Sequence, residues 1–357
     1  MNPARPFPAS SLRVRQAYVP ALVVLAALLA LAMVVSLGVG GVRVPVPGVV
    51  RALWASLAGD PLAIGTDGVV VAIRLPRIVL SAVVGAGLAT AGAGLQGLFR
   101  NPLIDPTFIG ATSGAALGAA LAIVLGHHAV LYLPESLRSS TISLASMFGC
   151  FAMLQIALSL SKVRGRVIIA QLLLVGIALT ALAGTVIGLC VTFADDSQAR
   201  TITFWTLGSF GGASFRMLAF VAPITVAGIA LLLPMSRSLD ALTLGEGEAA
   251  HLGIRVDVIK RRVILLVAIL VGASVSMVGQ IGFVGIVVPH LVRLVLGPRH
   301  RPLLLGSALG GALLLVVADS LARTVVLPAE LPIGIVTGAI GAPFFLSLIR
   351  QNQGAGS

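Results

Sequence analysis

DALTLGEGEAAHLGIRVDVIKRR, from Asp240 to Arg262, is a polar island: eight charged side chains, one histidine and three glycines fall within 23 residues. On either side the chain is almost unbroken Leu, Val, Ala, Ile and Gly, with apolar runs near 215–235 and 257–280. Each run matches the roughly 20 residues that an α-helix needs to cross the hydrocarbon core of a bilayer. The island is therefore a connection between two membrane spans. Outward from it, the same alternation of long apolar runs and short polar links repeats along the chain.

Composition agrees. Of 357 residues, 58% are hydrophobic and 10% charged, with a mean hydropathy of +1.08. A soluble domain carries roughly a quarter charged residues, so this chain has too few to cover a globular surface. Spans are expected near 18–39, 75–98, 106–126, 141–161, 167–193, 215–235, 257–280, 282–297, 303–322 and 331–349, the eighth being short and broken by Pro289. The expected fold is an all-α membrane protein of about ten transmembrane helices, residues 1–357 forming a single domain.

Arg5, Arg13 and Arg15 precede a first run that is too long for a signal-peptide core, so residues 1–17 read as a cytoplasmic segment before an uncleaved span. Ten crossings leave both termini in the cytoplasm, with 16 of the 24 Lys and Arg in inside-facing segments and eight outside. That two-to-one bias is the positive-inside pattern of a multi-pass protein of the bacterial inner membrane. Twelve excess positive charges scattered among apolar runs do not form a phosphate-tracking patch, and nucleic acid is not an expected partner.

Two long external links carry Trp54 and Trp205, residues suited to the membrane–water interface. Within the spans, GAGLATAGAGLQG (Gly85 to Gly97), GATSGAALG (Gly110 to Gly118) and GIVTGAIGAP (Gly334 to Pro343) put small residues at four-residue spacing. In lipid such faces let helices pack backbone to backbone. Cys150 and Cys190 lie inside apolar runs and read as small buried hydrophobes.

Within the island, Thr243 and Glu246 match a capping box, which predicts a helix of about ten residues after a turn at 240–242. Gly253 then ends it as a left-handed C-terminal residue. Leu244, Ala249 and Leu252 are expected against apolar neighbours, and Glu246, Glu248 and His251 toward water or a partner. So short a helix is marginal alone and must be held by contacts.

Catalytic chemistry has no footing here. No G-x-x-x-x-G-K-[ST] occurs, neither Lys162 nor Lys260 follows a glycine, and H-E-x-x-H and G-x-S-x-G are absent. The chain is not expected to be an enzyme or to hold a metal or cofactor. Of 12 acidic residues only Asp319 sits well inside a span, with Arg323 one turn later as a partner. A proton-coupled carrier would show a chain of buried titratable groups, so a carrier or channel is the remote alternative.

Four stretches carry a family resemblance: RLPRIVLSAVVGAGLATAGAGLQGLFRNPLIDPTFIGATSGAALGA (Arg74 to Ala119), LGEGEAAHLGI, GQIGFVGIVVPHLVR (Gly279 to Arg293) and ELPIGIVTGAIGAPFFLSLI (Glu330 to Ile349). The chain from about residue 18 resembles the membrane permeases of type II ABC importers for iron–siderophores, haem and cobalamin. The resemblance implies a homodimer with the pathway at its centre. It also implies two cytoplasmic ATPase subunits, which handle ATP and magnesium, and one periplasmic binding protein. Residues 240–254 then correspond to the family's coupling element, with Thr243, Gly245, Glu246, Glu248, Ala249, Leu252 and Gly253 at the ATPase contact. Arg74, Arg77 and Arg323 match external arginines that receive carboxylates of the binding protein. Asn101 and Leu103 match residues that narrow the cytoplasmic mouth of the pathway. Ile169 and Ala170 fall at its second narrowing, where bulky Ile departs from the small polar residues expected.

TFWTLGSFGGASF (Thr201 to Phe215) and RTVVLPAELPIGIVTGAIGAPFF (Arg323 to Phe345) are most similar to haem permeases. Haem is the expected cargo, with iron–siderophore or cobalamin as alternatives. His127, His128 and Tyr132, read as lying on an external loop, are residue types that ligate haem iron, but ordinary loop residues account for them equally.

Overall fold

The structure, a computed structural model, describes residues 10–40, 44–58, 68–129 and 140–354. The expected N-terminal segment lies partly, and Tyr132 wholly, outside the described residues.

The chain is helical throughout, apart from one small hairpin among the described residues. Helix α1 (Ser10–Gly38) is followed by α2 (Val46–Ala58), then by α3 (Leu75–Phe99), which continues a π-helical turn at Val69–Arg74. A 3-10 turn at Pro106–Ile109 leads into α4 (Ala111–Ala129) and α5 (Thr141–Leu160). The hairpin pairs β1 (Lys162–Val163) with β2 (Arg166–Val167), antiparallel. Then come α6 (Ile169–Phe193), α7 (Asp196–Leu207), α8 (Phe215–Leu232), α9 (Ser236–Thr243) and α10 (Glu246–His251). The chain ends with α11 (Val256–Val278), α12 (Val284–Leu296), α13 (His300–Ala322) and α14 (Ile333–Gly354).

Among the described residues seven helices are long and apolar enough to cross a bilayer, and shorter apolar helices at Ala111–Gly126, Val284–Leu296 and Ile333–Leu348 occupy the other three expected positions. Every expected span thus finds a helix. Three boundaries differ with consequence. The second span starts at Val69, so Arg74 and Arg77 lie inside a continuous helix of 31 residues. Pro76 has no amide to give the ladder, and the Leu75 amide reaches back to the Val70 carbonyl, which widens the turn. The sixth span runs on to Thr243, so residues 240–242 are helical rather than a turn. Finally, α4 extends to Ala129, which puts His127 and His128 on its last turn rather than in a loop.

Helix α3 is the centre of the bundle. It packs most extensively on α13, and also on α8, α11, α12 and α1. Its apolar window is 61% buried and that of α11 72%, against 17% for α6 and 11% for α1. The small-residue faces explain how the helices come so close. A Cβ on Gly85 would overlap the Gly311 carbonyl, one on Gly92 the Gly285 carbonyl, and one on Gly118 the Ala145 carbonyl. Backbone contact of this kind replaces the hydrophobic drive that is missing between helices in lipid. Cys150 and Cys190 are both buried and free.

Candidate functional site

The island folds as two short helices set against the bundle. Helix α9 buries Leu239 and Leu242. Gly245, at φ +126, turns the chain in a conformation that other residues adopt only under strain. Helix α10 follows with six residues, and its Ala249 is fully buried. Gly253 adopts φ +81, its amide donates to the Ala250 carbonyl (2.9 Å), and the Ile254 amide donates to Ala249 (3.0 Å). This is the left-handed glycine stop expected from sequence.

The expected capping box does not form. Gly245 is the N-cap of α10, without a side-chain cap. Thr243 ends α9 instead, its hydroxyl donating to the Asp240 carbonyl at 2.6 Å. Glu246 turns toward Lys260 rather than back along the helix. Leu244 and Leu252 are not packed inward: they are 68% and 65% exposed, beside the exposed Glu248 and His251. Of the three residues expected to pack inward only Ala249 is buried, so α10 presents an apolar and acidic outer face on a seated base.

Two polar clamps seat it. In the first, an Asp240 carboxylate oxygen accepts from the His300 backbone amide (2.8 Å) and from His300 Nδ1 (2.7 Å). The His300 ring lies so close to Gly97 of α3 that a side chain there would collide with it. In the second, the buried Lys260 amine donates to Glu246 Oε2 (2.7 Å) and to the Val167 carbonyl (3.3 Å).

Each clamp touches an element that leads to a sequence-matched gate position. Past Gly97, α3 ends at Phe99, and Arg100 follows with φ 52. Asn101 Oδ1 then accepts the Leu103 amide at 2.9 Å, which fixes the Asn101–Leu103 turn. Buried Asp105 caps the 3-10 turn through the Thr107 amide (2.9 Å). On the other arm, Val167 leads directly into Ile169, which is half-buried, and Ala170, which is exposed. Gly176 of α6 lies against the Phe108 carbonyl, so the two arms are neighbours. Gln96 ties α3 to α12 as well, donating to the Gly285 carbonyl (3.1 Å) and accepting from Arg293 (2.9 Å).

At the opposite end, Arg74, Arg77 and Arg323 are 5%, 6% and 5% exposed, not displayed on a rim. Arg77 forms a fork on Asp319 (2.9 to 3.1 Å) and reaches Glu330 at 2.8 Å. Arg323 meets Asp319 at 3.2 Å, as its spacing predicted, and donates to the Ser36 hydroxyl at 2.7 Å. Arg74 donates to the Leu37 carbonyl at 2.7 Å. The arginines therefore knit α1, α3 and α13 together, and the carboxylate partners of Arg77 and Arg323 lie within the chain. Trp54 is 72% exposed on α2, while Trp205 is half-buried against the core.

Sequence reasoning missed Lys260, His300, Gln96 and Asp105. Lys260 had a faint signal as one of only two lysines among 24 basic residues. The Asp240–His300 pair, 60 residues apart, had none.

A model of the FecCD transport family matches residues 28–351. The chain belongs to the FecCD transport family. Its relatives in that family include the hemin transport system permease protein HmuU of Yersinia pestis, 43% identical over 85% of this chain and 88% of that protein. The cobalamin import system permease protein BtuC of Halobacterium salinarum is 41% identical over 79% of this chain and 73% of that protein. The molybdate import system permease protein MolB of Haemophilus influenzae is 37% identical over 92% and 95%. Among solved structures, a metal-chelate type ABC transporter in an inward-facing conformation superposes with a TM-score of 0.81 at 33% identity, covering 93% of this chain and 99% of that one. This FecCD chain is thus a multi-pass permease with the fold of an ABC transporter membrane subunit.

Proposed function

We propose that this chain is the permease subunit of an ABC importer in a bacterial inner membrane, carrying haem from a periplasmic binding protein to the cytoplasm by alternating access. It works as a homodimer with two cytoplasmic ATPase subunits and one binding protein, and the ATPases, not this chain, bind ATP and magnesium. The observation that carries the reading is the exposed Leu244, Glu248 and Leu252 face on an α10 seated by Ala249. An apolar patch ringed by charge, on a short helix with no other work, suits a protein partner in the cytoplasm.

The homodimer is supported by α6, whose exposed face carries Gly184 and Gly188, where an added Cβ would meet no other element among the described residues within 4 Å. A small-residue face of this kind suits close helix contact in lipid. At the outer end, Arg77 and Arg323 share Asp319, and Arg77 also meets Glu330. Guanidinium forks suit carboxylates, and Arg74, Arg77 and Arg323 are the groups that receive acidic side chains of the binding protein. Asn101, Leu103, Ile169 and Ala170 form the cytoplasmic gate.

Haem is the preferred cargo because the segments Thr201 to Phe215 and Arg323 to Phe345 are haem-permease-like, and a hemin permease is among the relatives. Identity alone does not separate the cargoes, since cobalamin permeases reach 41% and 43%, and cobalamin, like iron–siderophores, is the second reading. The deciding experiment offers haem, a ferric siderophore and cobalamin in turn to proteoliposomes holding the permease, its ATPase and its binding protein. Haem should be accumulated and should stimulate ATP turnover. Equal or faster accumulation of either other cargo overturns haem.

A further inference from the structure

We infer that Lys260 is a positioning residue that couples movement of α10 to the start of α6, and so to the gate at Ile169 and Ala170. The inference rests on the importer reading and names the route by which the coupling segment acts within this chain.

Three elements meet at one amine. Lys260 sits on the second turn of α11, 3% exposed. Its ammonium donates to Glu246 Oε2, on the first residue of α10, and to the carbonyl of Val167, two residues before Ile169. A buried ammonium is costly unless it is paired and its hydrogen bonds are satisfied. Both partners are needed for that, and each belongs to a different element. An apolar residue at this position would fill the same space at less electrostatic cost. The charge is thus better explained by what it connects than by stability.

The surroundings leave room for relative motion. Next to the clamp is a cavity of about 480 Å³ lined by Ile168, Ile169, Glu246, Ala250, Asp257 and Lys260, among others. Helix α10 and the start of α6 therefore do not pack solidly against each other. Among the described contacts the polar link from α10 to the start of α6 runs through the Lys260 side chain, whereas Arg261 to the Gly165 carbonyl (3.2 Å) and the exposed Arg166–Asp257 pair (3.9 Å) tie only the hairpin to α11. An exposed pair at that distance transmits little. A force on the outer face of α10 reaches α6 through Glu246, Lys260 and the Val167 carbonyl.

The test uses the complete importer in proteoliposomes, with haem uptake and ATP hydrolysis measured together. Lys260→Met keeps the volume and removes both donors. ATPase association and basal hydrolysis should persist, while uptake per ATP falls about tenfold or more, as expected when a buried charge contact is lost. Lys260→Arg should restore part of the ratio, and Glu246→Gln should lower it. A second readout does not depend on activity. Spin labels at His251→Cys and Ala170→Cys, with Cys150 and Cys190 replaced by Ala, should move together on ATP binding in the otherwise native chain and independently in Lys260→Met. Unchanged uptake per ATP in Lys260→Met, or an unchanged joint movement of the labels, overturns the inference. A native complex that shows no ATP-driven uptake overturns the importer reading beneath it, which is a distinct result.

Discussion

Ala249→Pro tests whether α10 acts as a rigid body. Ala249 is the fourth residue of a six-residue helix, and its amide donates to the Gly245 carbonyl at 3.0 Å. Proline deletes that bond, drives its ring toward the same carbonyl and disfavours the helical conformation of Glu248, at about 3 kcal/mol in all. Ala249 is also fully buried, so the larger ring adds a packing cost of about 1–3 kcal/mol. A helix this short has no reserve against such a loss and should melt. The damage should stay local, because α10 lies outside the spans and its neighbours are held by their own contacts. The expected outcome is normal membrane insertion and normal capture of the binding protein, with the ATPase lost on co-purification or ATP-driven uptake abolished. Normal uptake with the ATPase bound refutes the view of α10 as a lever and leaves it a decorated loop.

Further expectations follow from the corrected geometry. Thr243→Ala should change stability by no more than about 0.5 kcal/mol in a thermal melt, because the hydroxyl serves α9 from an exposed position and caps nothing. Asp319→Ala should lower stability by about 3–5 kcal/mol, since it strands buried Arg77 and Arg323 without their shared carboxylate. A melting temperature within a degree of the native chain would contradict that. Gly85→Leu should fail to assemble a folded bundle, because its Cβ meets the Gly311 backbone and α3 cannot yield there without leaving α13. Proper folding of that variant, read by detergent resistance, would refute the central packing. Arg74→Glu should slow capture of the binding protein and flatten its salt dependence, read as an association rate.

The spans were legible because hydropathy over 20 residues is a property of sequence alone, and every expected span found a helix. The glycine faces were legible for a similar reason: spacing of four places Gly85, Ala89 and Gly92 on one side of a helix. Gly253 was legible because few residues other than glycine end a helix with φ +81. The capping box was misread because Thr243 and Glu246 have the right spacing, yet the chain turns at Gly245 between them, and Glu246 finds a stronger partner in Lys260. The arginines were read as external by their match to family positions, and their partners within the chain were not legible. The helix in fact begins at Val69, and the burial that results comes from α1 and α13, which lie far away in sequence. Contacts across 60 residues or more, such as Asp240 with His300, leave no local pattern to read.

The central claim is that this chain moves cargo only when a separate ATPase drives it. The most direct test reconstitutes the permease with its binding protein and haem, with and without the ATPase subunits, and follows haem inside the vesicles. The account predicts accumulation only when ATPase and hydrolysable ATP are both present. Accumulation without the ATPase, driven by an ion gradient or by the haem gradient alone, would contradict it.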